Sequence, residues 1–118
     1  MINESKNSVV DKTIIESVQQ YLRSLEASGI PVCFGVLFGS QVTGRVHEWS
    51  DIDVLVVSPL YDENRNYKTV GKLWRIANDM DTRIEPIACG ALQWDNDNYT
   101  PIFEIARRED IVITPAAA

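Results

Sequence analysis

The sequence predicts a single mixed α/β domain, and three observations carry that prediction. Ile14, Ile15, Val18, Tyr21, Leu22 and Leu25 recur at helical spacing against Glu16, Gln19, Gln20, Arg23 and Glu26, the pattern of an amphipathic helix. Two runs, Val32–Phe38 and Asp51–Ser58, are apolar at nearly every position, as strands covered on both faces are. A second helical repeat follows in Val70, Leu73, Trp74, Ala77 and Met80. The resulting order, α-β-β-α-β-α-β, lacks the strict alternation of a doubly wound sheet and describes a small mixed sheet with helices mainly on one face.

Each element has a local reason. Residues 1–10 are polar and predict a flexible terminus, with the domain running over 11–114 and a tail at 115–118. Asp11 is placed to cap the first helix, Gly29 to end it in a left-handed conformation, and Pro31 to prevent its continuation. Gly35 interrupts the first strand and marks close approach of another backbone. Gln41–Ser50 has no strong period, so a short helix or turn starting at Ser40 fits best. Leu60–Tyr67 reads as a polar loop, Lys68–Asp79 as the second helix and Thr82–Cys89 as a third strand. Pro86 confines that strand to an edge or a bulge. Gly90–Asn98 reads as a loop, and Thr100-Pro101 opens a short helix to about Arg108. Ile111–Thr114 closes the chain as a short strand.

Composition narrows the function classes. A chain of 118 residues with 45% apolar and 24% charged residues is ordinary for one globular domain. Its net charge of −6 opposes binding to nucleic-acid backbones. No stretch reaches the ~18 apolar residues of a membrane span, and the N-terminus lacks the apolar centre of a signal peptide. Cys33 and Cys89 fall within predicted strands without metal-ligand spacing and read as reduced core thiols. A cytoplasmic protein is the expectation.

The chemistry concentrates between Val32 and Val57. The first strand runs into Gly39-Ser40, ten residues follow, and the second strand opens with Asp51-Ile52-Asp53. Side chains two apart on a strand share a face, so Asp51 and Asp53 project together. Their mutual repulsion is relieved by a cation, and hard divalent metals take oxygen ligands while leaving positions open for phosphates. Two metal ions clamp the attacking and leaving oxygens of a phosphoryl displacement. The third strand offers a further carboxylate, Glu85, on the same face as Arg83 and Ile87. Glycine lets the backbone bend close to a phosphate, and successive amides opening a helix make an anion site.

These elements closely resemble the signature of the DNA polymerase beta superfamily of nucleotidyltransferases, and the small size is similar to its minimal nucleotidyltransferases (MNT). The resemblance covers roughly residues 11–113 and implies the nucleotidyltransferase fold. It also implies transfer of a nucleoside monophosphate, from ATP or another NTP, to a hydroxyl with two Mg2+ ions. By the resemblance, Asp51, Asp53 and Glu85 are the catalytic, metal-holding acids, with Glu85 also the base. Gly39 and Ser40 hold the β/γ phosphates. Many members carry a basic residue shortly after Gly-Ser; Gln41 and Thr43 stand there in this chain, and Arg45 is the nearest cation.

Minimal nucleotidyltransferases are typically paired with a HEPN toxin, and some transfer AMP onto a tyrosine of it. The resemblance therefore implies an antitoxin that adenylylates such a partner. Two alternatives stand beside it: a binding module that neutralises its partner by contact, and a small-molecule nucleotidyltransferase acting as a homodimer.

The remaining polar residues have simpler readings. His47, the one histidine, reads as a surface residue, and Trp49 as a gap-filler or a base-stacking ring. Asp79 and Asp81 read as a solvated turn, and Arg83 as either a phosphate contact or a structural ion pair. Asp95–Asn98 lacks the glycine and distal glutamate of a calcium loop and reads as solvated. Trp94 and Tyr99 beside it are candidate interface aromatics.

Overall fold

A computed structural model describes residues 10–39, 51–109 and 111–115 of the chain. In chain order these form α1 (Lys12–Ala27), β1 (Phe34–Phe38), β2 (Ile52–Val57), α2 (Leu60–Glu63), α3 (Tyr67–Met80), β3 (Ile84–Cys89), α4 (Ala91–Asn96), α5 (Pro101–Glu109) and β4 (Ile111–Ile113). The four strands make one mixed sheet in the order β3-β2-β1-β4. β1 runs antiparallel to both β2 and β4, whereas β2 and β3 are parallel. The mixed α/β class expected from the sequence is what forms. Ser40–Ser50 lies outside the described residues, so the short helix or turn expected there, and Ser40, Gln41, Thr43, Arg45, His47 and Trp49 with it, receive no structural account.

The alternation of each strand sorts its side chains onto two faces. Leu37, Ile52, Val54, Val56, Ile84, Ile111 and Ile113 point to the face covered by α1 and α3. Val36, Phe38, Leu55, Val57 and Cys89 point to the other, where Phe103 and Ala106 of α5 and Trp94 of α4 pack. The two long helices therefore share one face, and the other carries only short ones. On α1 the predicted stripe holds: Ile14, Val18, Tyr21, Leu22 and Leu25 are all buried. Burying a side chain such as Leu22 stabilises the fold by roughly 1.5–3 kcal/mol. The Tyr21 hydroxyl, deep in this layer, donates to the Leu73 carbonyl of α3 at 2.9 Å and ties the two helices together.

The helix ends follow their sequence signals. Asp11 accepts from the Thr13 amide at 2.9 Å and Gly29 adopts φ +96°; α3 opens one residue earlier than expected, at Tyr67, because Asn66 accepts from the Lys68 and Thr69 amides. Val10, which the sequence reading leaves with the terminus, is buried in the core. Pro86 lies on an edge strand, as its missing amide requires.

Several expectations need correction. Leu60–Tyr67 is not all loop: a single helical turn, α2, follows Pro59 and buries Tyr61. Gly90–Asn98 contains α4, whose Leu92 and Gln93 amides are capped by the Asp62 carboxylate across 30 residues of sequence, which no local pattern could show. Gly35 does admit a close approach, but by a side chain: a Cβ there would stand 3.1 and 3.3 Å from the Leu22 methyls. Cys33 is exposed rather than a core thiol, because β1 begins one residue later. Cys89 is buried, and burial pushes its thiol up to about 12. Asp97 is not solvated: it is 7% exposed and accepts from the Tyr99 and Thr100 amides and the Thr100 hydroxyl, bracing the start of α5.

Candidate active site

The parallel register of β2 and β3 sets the geometry of the acids. Asp53 lies directly opposite Glu85, one step into each strand after the pair Ile52 and Ile84. Ile52 and Ile84 are fully buried toward the long helices, so Asp53 and Glu85 point together to the other face. Asp51 precedes them by two residues and is exposed, while Asp53 and Glu85 are half-buried. A hydrogen bond from the Ile52 amide to the Arg83 carbonyl, 2.8 Å, locks the starts of the two strands in line.

β1 adds the wall on the other side. Phe38, 4% exposed, pairs across the sheet with Asp53, and Gly39 follows at φ +85°. This left-handed backbone favours glycine. A Cβ on Gly39 would run into the Asp53 carboxylate, 3.2 Å from its Cγ. Gly39 therefore has two reasons to lack a side chain, a backbone one and a packing one. Phe38 as the cross-strand neighbour of Asp53 went unnoticed in the sequence because it depends on antiparallel register, which no single strand reveals.

Electrostatics couples the acids. The Glu85 carboxyl is raised above its ordinary 4.5, first by burial, then by a hydrogen bond with Asp51 and the negative charges of Asp51 and Asp53. Like charges gathered at one strand end disfavour ionisation of the member least able to shed its neighbours. Among the described residues, no three His, Cys, Asp or Glu side chains are drawn together as a ready metal cage. The donor set nevertheless fits a hard cation: three carboxylates on one face whose repulsion a divalent ion would neutralise.

Arg83 is committed elsewhere. Its guanidinium donates to both Asp81 oxygens, at 3.1 and 2.9 Å, in the bidentate form that gives such pairs their strength. Of the two readings of Arg83, the structural ion pair is the one present, and Asp81 is no freely solvated turn. The Asp81 carboxyl is held below its ordinary value chiefly by that hydrogen bond. Trp94 is also occupied: Phe34 meets its ring edge-on at 5.8 Å, and the Arg107 guanidinium stacks 4.8 Å from its centroid. Tyr99 stands 82% exposed.

The mixed sheet thus gathers acids from two parallel strand starts, beside a glycine turn leaving a third strand. The family model for the nucleotidyltransferase domain matches residues 13–87, from the first turn of α1 through Ile87 of β3. That span takes in Gly39, Asp51, Asp53 and Glu85, and the chain belongs to this nucleotidyltransferase domain family. No curated protein matches it. None of the helices among the described residues is long and apolar enough to cross a membrane.

Proposed function

We propose that this nucleotidyltransferase moves AMP from ATP onto a hydroxyl in a magnesium-dependent reaction, and that the acceptor is a tyrosine of a HEPN-type toxin neutralised in the cytoplasm. The observation that carries the catalytic part is the register pairing of Asp53 with Glu85, with Asp51 on the same face. The partner rests on the likeness to minimal nucleotidyltransferases, and the net charge of −6 suits a basic, RNA-cutting protein.

Asp51, Asp53 and Glu85 would hold the magnesium ions, which when bound supply charge neutralisation at the phosphates. Glu85 accepts the acceptor hydroxyl's proton. In the metal-free protein, burial and its acidic neighbours raise the Glu85 carboxyl above its ordinary value. The acceptor oxygen bonds to the α-phosphorus as the bond to pyrophosphate breaks. Gly39, with Ser40 and Arg45 beyond the described residues, is assigned to the departing phosphates, where a glycine backbone approaches closely.

The test is incubation of the protein with labelled ATP, magnesium and the product of its neighbouring gene. Label on a partner tyrosine that disappears in Asp53→Ala supports the proposal. Tight partner binding without label, unchanged in Asp53→Ala, replaces it with neutralisation by contact. Label on a small hydroxylated compound in the absence of any partner replaces it with small-molecule modification.

A further inference from the structure

The two edges of the sheet are finished differently. β3, at one edge, carries Pro86 in register with Val54, and a proline offers no amide to an incoming strand. β4, at the other edge, is Ile111-Val112-Ile113 and pairs only with β1 among the described residues. It contains no proline or charge. A β-branched apolar edge is a template for another strand, limited here to three residues with Pro115 two positions beyond.

The side chains around this edge are apolar as well. Val112 lies in register with Val36, so it points to the face that carries α5, and it remains 49% exposed. On α5, Phe103 and Ala106 turn to the sheet, while Arg107 reaches back to Trp94 of α4, the helix that leaves β3. Ile105 stands two residues from Arg107, about 200° around the helix. It therefore leaves the helix on the side away from Trp94, turned from the sheet-facing Phe103 and Ala106, and it is 37% exposed. Ile105 and Val112 are thus exposed apolar side chains on α5 and on β4.

We propose that this edge is a homodimer interface, with β4 pairing antiparallel to β4 of a second copy about a two-fold axis at Val112. The segment Ile111-Val112-Ile113 reads the same in both directions. Antiparallel pairing with itself sets Val112 against Val112 and Ile111 against Ile113, matched β-branched pairs with no like charges opposed. That last property matters in a chain of net charge −6, whose copies repel each other over most of their surface. A three-residue strand falls short of the ~800 Å² per partner of a standard interface, so the helices must contribute. α5 packs on β1, which puts the two α5 copies three strand spacings, about 14 Å, apart across the dimer. This slightly exceeds the ~10–12 Å diameter of a helix with its side chains, and the exposed Ile105 of each copy is the apolar side chain available to fill the difference.

Sedimentation of the full chain should give the mass of a dimer. Val112→Lys should reduce it to the monomer with an unchanged circular dichroism spectrum, since Val112 lies outside the acid cluster and half in solvent, whereas Val112→Thr should remain dimeric. In a Cys33→Ser background, Val112→Cys should cross-link to itself on mild oxidation, because the axis brings the two copies of position 112 together. Thr114→Cys should not. A wild-type monomer at the highest soluble concentration overturns the proposal and leaves the edge to another protein's strand. So does a dimer that Val112→Lys leaves intact and Val112→Cys fails to cross-link.

Discussion

Asp53 and Glu85 occupy directly opposed positions on neighbouring parallel strands, β2 and β3, and share a face with Asp51. Three carboxylates at one sheet end destabilise the fold unless something compensates them. Neutralising one should relieve that repulsion. Without metal, Asp53→Asn and Glu85→Gln should each melt above wild type. Wild type should gain thermal stability when magnesium and a non-hydrolysable ATP analogue are added together, by linkage of binding to folding, and both variants should lose most of that gain. Differential scanning fluorimetry reads both effects. Variants that gain as much as wild type would remove these acids from the proposed metal site.

Gly39 supports the same carboxylate from the side. In Gly39→Ala the backbone keeps a left-handed conformation that costs an L-residue about 1–2 kcal/mol, and the new methyl group collides with Asp53. Urea unfolding should show a loss of about that size. Nucleotidyl transfer should fall much further than the lower stability accounts for, because the displaced group is one of the three acids proposed to hold the metal. Transfer at the wild-type rate in a folded Gly39→Ala protein would mean that Asp53 tolerates the displacement and that the close packing is incidental.

How far the sequence carried the site depends on which interactions are local. The two strands and Asp51-x-Asp53 could be read because alternation acts within a few residues. Glu85 could be nominated, but not aligned, since its position against Asp53 rests on pairing between residues 32 apart, with Pro86 obscuring the pattern. α4 escaped notice because its amides are capped by Asp62 from the other side of the parallel crossover. Asp97 is hidden from the sequence for a related reason. Its run of Asp and Asn looks like solvated loop, yet its oxygens serve the Tyr99 and Thr100 amides and the Thr100 hydroxyl. Cys33 marks the opposite error, a thiol taken for core because its neighbours are apolar, although the pleat begins at Phe34.

Asp97 gives a pH signature remote from the active site. Its carboxyl is held down to about 2, from an ordinary 3.8, first by the Thr100 hydroxyl and then by the Thr100 and Tyr99 amides. A depressed carboxyl means that the unfolded chain binds the proton more tightly than the folded one. The stabilisation is therefore complete above 3.8 and is lost as pH falls toward 2. Asp97→Ala should be less stable than wild type at neutral pH, and the difference should shrink across that window. Urea midpoints measured from pH 5 downward check the sign; a difference that widens on acidification would contradict the bracing role.

The last prediction concerns the contact that seats α1 on the sheet. Gly35 faces Leu22, and a Cβ at position 35 would stand 3.1 Å from one methyl of that leucine, 3.3 Å from the other and 3.4 Å from a Val54 methyl. Leu22 is fully buried, so it has little room to retreat. Gly35→Ala should cost about 1–3 kcal/mol through overpacking, less whatever the alanine saves in the unfolded chain. Leu22→Ala should cost about 2–5 kcal/mol through the cavity it leaves. Because the added methyl of the first variant enters the space vacated in the second, the double variant should be more stable than the sum of the two losses implies. Directly touching residues couple by about 0.5–3 kcal/mol, and chemical denaturation of the four proteins measures that term. Strict additivity would show that the β1 backbone shifts to absorb the methyl, and that Leu22 does not fix the distance between α1 and the strand leading to Gly39.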